Sequence, residues 1–122
     1  MSLADVHISH ASGALVARLV GEVDMSNAEE LGATVIGAMP SDARGVVLDL
    51  SAVEYLDSAG IYVIHGMRAS LQARGQRLLL VIPADSPVHD TLRLSGAQHP
   101  GEVVGELDAA LRALDGSRPR DP

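Results

Sequence analysis

The chain has 122 residues, 47% hydrophobic and 20% charged, the composition of one globular domain with a real core rather than of a disordered segment. Its formal net charge is −7, which argues against nucleic acid and anionic membrane surfaces as partners, because both need a basic footprint. All nine basic residues are arginine, and neither lysine nor cysteine occurs, which excludes P-loops, Schiff-base chemistry, disulfides, thiol catalysis and cysteine-ligated zinc.

Val6 and Ile8 alternate with polar neighbours and predict a half-buried strand. Ala14 to Val20 predicts a second strand, with Ser12-Gly13 between them as the turn of an antiparallel hairpin. Ser26-Asn27-Ala28-Glu29 has capping-box spacing, and Leu31, Val35 and Ala38 give the helix behind it an apolar face. Pro40 stops that helix. Gly45 to Leu50 is almost continuously apolar, as in a strand covered on both faces. A loop over Ser51 to Asp57 leads into a helix from Ser58 to Ala73, with Ile61, Ile64, Met67 and Leu71 as its buried stripe and Gly75 after its end.

Leu78 to Ile82 is a further apolar strand closed by Pro83, and Ser86-Pro87 opens a short helix that ends at Gly96. Val103-Val104 predicts a short edge strand. Leu107, Leu111 and Leu114 set one face of a last helix. The order β-β-α-β-α-β-α-β-α predicts an α/β single domain over residues 1–116, with a mixed, mostly parallel sheet of four to five strands and about four helices. Val47, Leu48, Leu50, Ile64, Leu79, Val81 and Leu111 are the expected core. Ser117 to Pro122 reads as a flexible tail. The longest apolar run, Leu78 to Ile82, has five residues where a spanning helix needs about 20. With no basic leader ahead of an apolar stretch, the expected compartment is the cytoplasm.

His7 and His10 are three apart on a strand and point to opposite faces, so no joint metal site is expected; His65, His89 and His99 are scattered. Ser58 stands in Leu56-Asp57-Ser58-Ala59-Gly60, which lacks the G-x-S-x-G elbow of a serine hydrolase. Asp57 or Ser58 is placed to cap the helix. Gly21-Glu22-Val23-Asp24 and Asp57-Ser58-Ala59-Gly60 hold equivalent strand-to-helix positions. Neighbouring parallel strands would bring both clusters to one end of the sheet, where open α/β sheets carry their sites. No phosphate-cradling glycine loop occurs, and no cofactor is expected.

Gly21 to Leu31 (GEVDMSNAEEL), Val46 to Ile64 (VVLDLSAVEYLDSAGIYVI) and the segment from Ser95 to Leu114 together resemble the STAS domain family, and most closely its free-standing anti-sigma factor antagonists. The resemblance runs from Val6 to Leu114. It implies that the unphosphorylated chain binds an anti-sigma factor serine kinase and releases a sigma factor. It further implies that phosphorylation of Ser58 switches this off and that a PP2C-type phosphatase restores it. It makes Asp24, Asp57, Ser58, Ala59, Gly60, Tyr62 and His65 the expected partner surface. Ala59 replaces a common second hydroxyl residue, and Ile61-Tyr62 replaces the usual Leu-Gly. Ser58, Tyr62 and His65 fall on one helical face. The helix N-terminus is expected to tolerate a phosphate through its amides and dipole. A STAS subunit of a membrane transport complex, without the phosphorylation switch, is the alternative.

Overall fold

β1 (Ala4–Ala11) and β2 (Ala14–Val23) form the predicted hairpin, in continuous antiparallel register from Ala4 opposite Gly21 to Ala11 opposite Ala14. Ser12 and Gly13 both take positive φ, 53° and 77°, as a two-residue loop must to follow the twist of its strands. The computed structural model describes residues 4–96, 99 and 101–115, so the expected tail over 117–122 lies outside the described residues. The chain continues through α1 (Ala28–Gly37), β3 (Gly45–Leu56), α2 (Ser58–Ala73), β4 (Arg77–Val81), α3 (Pro87–Leu94), β5 (Val103–Val104) and α4 (Leu107–Asp115).

The sheet order is β1-β2-β3-β4-β5, parallel everywhere except between β1 and β2. Each crossover from β2 onward steps one place in the same direction. Right-handed crossovers of that kind put their helices on one face. Accordingly one core cluster joins Leu15, Leu48, Leu50 and Leu80 to Leu31 and Val35 of α1, Ile64 and Leu71 of α2, and Val88 and Leu92 of α3. The opposite face, with Val16, Val47, Leu79 and Val81, is left to α4 through Ala110 and Leu114.

Three expectations need correction. Leu111 is only half-buried; Ala110 and Leu114 are the buried residues of α4, because the helix lies with that edge against the sheet. The capping box at Ser26 does not form. The Ser26 N–H and hydroxyl both donate to Asp24 Oδ1, at 2.9 and 2.5 Å, and Asn27 occupies the N-cap position. The buried Asn27 instead reaches back, accepting from Asp24 N–H at 3.0 Å and donating to the Glu22 carbonyl at 2.9 Å. Finally, residues 51–56 are strand, not loop. β3 continues beside β2 to Leu56, opposite Val23, through two register shifts.

Candidate functional site

The carboxyl ends of β2 and β3 leave the sheet side by side. Val23 and Leu56 are register partners, and Asp57 N–H donates to the Val23 carbonyl at 3.2 Å. Asp24 and Asp57 are the next residues on their two strands, so the shared sheet end expected from the sequence is present.

Asp57 is extended and caps α2: its Oδ1 accepts from Ala59 N–H at 2.9 Å and from Gly60 N–H at 3.2 Å. Ser58 is therefore the first helical residue, and it is exposed. The first two amides behind it are already filled by a carboxylate. This changes the expected handling of a phosphate: the amides of Ala59 and Gly60 are not available to it unless Asp57 is displaced. Among the described residues no hydrogen bond joins Ser58 to a histidine, as a hydrolytic triad requires.

Gly60 is buried. A Cβ there would stand 2.3 Å from Leu56 Cδ1 and 3.2 Å from Val23 Cγ1, so a hydrogen at this position lets the helix start sit directly on the strand ends. Ala59 is half-buried beside it. Asp24 is half-exposed. The Ser26 hydroxyl first, and the Ser26 N–H second, hold its carboxyl below the ordinary carboxylate value by donating to the charged form. It is thus an anion at neutral pH.

Tyr62 is 78% exposed, one turn along α2 from Ser58. His65 is exposed too, but it stands about 10 Å further along the helix axis than Ser58. It is tied elsewhere: its Nδ1 lies 2.7 Å from an Arg68 guanidinium nitrogen, and its ring lies 6.4 Å from that of His99. The structure thus gathers Asp24, Asp57, Ser58 and Tyr62 at one end, leaves Ala59 and Gly60 beneath them, and sets His65 apart.

Two residues of this end were not anticipated. Met25 is 84% exposed directly after Asp24, and Tyr55 is 51% exposed opposite Glu22 near the end of β3. With Tyr62 they make three of the four large apolar side chains that stand open to solvent among the described residues, and all three lie on the elements that meet at this end of the sheet. The sequence signal was an aromatic and a methionine two residues before and one residue after the two carboxylates.

The sequence profile described as "Mlab, STAS domain" matches residues 6–114. The putative anti-sigma factor antagonist BtrV of Bordetella bronchiseptica is 32% identical over 109 residues, 88% of this chain and 92% of that protein. A crystal structure of an anti-sigma factor antagonist from Mycobacterium paratuberculosis superposes with a TM-score of 0.80 at 24% identity, over 92% of this chain and 94% of the other. The anti-sigma factor antagonist SpoIIAA in its unphosphorylated form gives 0.73 at 20% identity, over 94% and 100%.

Proposed function

Because the chain belongs to the STAS domain family, we propose that it is an anti-sigma factor antagonist, a regulatory binding module and not an enzyme. The unphosphorylated form captures an anti-sigma factor kinase and frees a sigma factor. Phosphorylation of Ser58 ends the capture, and a PP2C-type phosphatase reverses it. The surface is formed by Asp24, Asp57, Ser58 and Tyr62, with Ala59 and Gly60 setting the height of the helix start and His65, engaged by Arg68, left outside it.

One observation carries this reading. Ser58 is an exposed hydroxyl at the first position of α2, and the carboxylate of Asp57 already holds the neighbouring amides. A phosphate adds about −1.5 to −2 charges and three acceptor oxygens. With Ala59 and Gly60 N–H engaged, those oxygens find fewer free donors in the first turn, and they sit on an exposed residue. They stand at the same sheet end as two anions, Asp57 and Asp24. A partner fitted to a small neutral hydroxyl and an apolar rim then meets bulk and charge. An unpaired buried charge costs several kcal/mol, and each ~1.4 kcal/mol is a tenfold loss of affinity. The fold itself stays, since no core group is touched.

Titration calorimetry with the purified anti-sigma factors of the source cell tests this. Ser58→Ala should bind like the unmodified chain and ignore the kinase activity. Ser58→Asp should bind more weakly, by about tenfold or more, at an unchanged melting temperature. Equal affinity of all three forms would leave this surface outside the regulated interface, and the transport-complex alternative would then lead.

A further inference from the structure

Beyond Tyr62, the face shared by α1 and α2 carries a shallow groove of about 330 Å³. It exists because the two helices meet over small residues. A Cβ on Gly32 would stand 2.5 Å from Val63 Cγ1, so the helices approach as closely there as a hydrogen allows. A Cβ on Gly66, one turn further on, would meet nothing within 4 Å, and this empty position is the groove itself. Ile36 and Met67 complete an apolar wall and floor. The mouth is different in kind: two exposed groups line it, Glu29 in the acidic first turn of α1 and the open ring of Tyr62.

Two features say what fits. The groove is continuous with the Ser58 end, because Tyr62 belongs to both and lies four residues, about 6 Å of rise, beyond the serine. Its charge is one-sided: among the described residues Glu29 and Tyr62 are the ionisable ones lining it, Glu30, next in the chain to Glu29, is exposed, and the chain as a whole carries −7. We infer that the groove receives the apolar face of a helix of the anti-sigma factor, with an arginine or lysine of that helix set between the Glu29 carboxylate and the Tyr62 ring. Apolar side chains at helical spacing fill the space over Gly66 and Gly32, as in other helix-in-groove contacts. The cation gains an ion pair and an aromatic face at once. This docking site rests on the proposed function and extends it: the hydroxyl at Ser58 would report phosphorylation, and the groove would supply most of the apolar anchoring.

The test keeps the two readings apart. Gly66→Leu fills the groove at an exposed helix position, where replacing glycine favours the helix. Its melting temperature should hold or rise. Glu29→Arg reverses the charge at the mouth. Against the purified anti-sigma factor that binds the unmodified chain, each should lose about tenfold in affinity or more, and the loss for Glu29→Arg should shrink in high salt. Unchanged affinity for Gly66→Leu, with Ser58→Asp still weakened, overturns the groove and leaves the proposed function standing. No binding of the unmodified chain to any anti-sigma factor of the cell overturns both. A self-association in sedimentation that Gly66→Leu abolishes would assign the groove to a second copy of this chain and overturn the inference.

Discussion

Asp57 and Asp24 look alike in the sequence, yet their bonds give them different work. Asp57 spends its carboxylate on two helix amides, whereas Asp24 folds its own onto the residue two ahead. That difference was partly legible: an aspartate before a helix predicts a cap, and Asp57 is one. Ser26 was misread because the S-x-x-E spacing is a local rule, and the buried Asn27 overrides it by bonding back to Glu22 and Asp24. A prediction follows from the Asp24 pair. A carboxyl held low in the folded state adds stability above its unfolded pKa and loses it as pH falls through the folded one. In Ser26→Ala the hydroxyl donor disappears, so the Asp24 midpoint should rise towards the ordinary value in a carboxyl-carbon NMR titration. An unmoved midpoint would mean that the Ser26 hydroxyl is not the cause.

At the level of elements, α2 is held at both ends by different means: the Asp57 cap at its start, and an ion pair further along. Arg68 and Glu102 are buried and meet in two hydrogen bonds, Nε to Oε2 at 2.7 Å and Nη2 to Oε1 at 2.5 Å. The pair ties α2 to the approach of β5, a strand of only two residues. Nothing in the sequence pointed to it, since two charged residues 34 apart read as solvated surface. The extension of β3 was hidden for another reason. Its two register shifts break the period-two pattern, so the exposures over 51–56 do not alternate. Arg68→Met should destabilise the fold by about 3–5 kcal/mol, because the buried Glu102 carboxyl loses its guanidinium partner. The double variant with Glu102→Gln should recover a large part of that in urea denaturation. Recovery of none would place the Arg68 contribution in packing alone.

Across the whole molecule the element order, the mixed sheet and most of the core were legible, because apolar strands and striped helices speak through pattern alone. The distribution of helices between the faces was not, since it depends on sheet order. Because the sheet grows in one direction, α1, α2 and α3 share one face with the Ser58 end, and among the described residues α4 covers the other. The two cores are separated by the backbone of the sheet. Leu114 is buried against the second face, whereas Leu111 is half-buried at its margin. Leu114→Ala should therefore cost about 2–5 kcal/mol, and Leu111→Ala clearly less, in urea unfolding at neutral pH. Neither should change affinity for the anti-sigma factor at temperatures where both variants are fully folded, because the proposed interface lies on the far side of the sheet. A drop in affinity for Leu114→Ala under those conditions would show that α4 sets the position of α2 through the sheet, and that the two faces act as one unit.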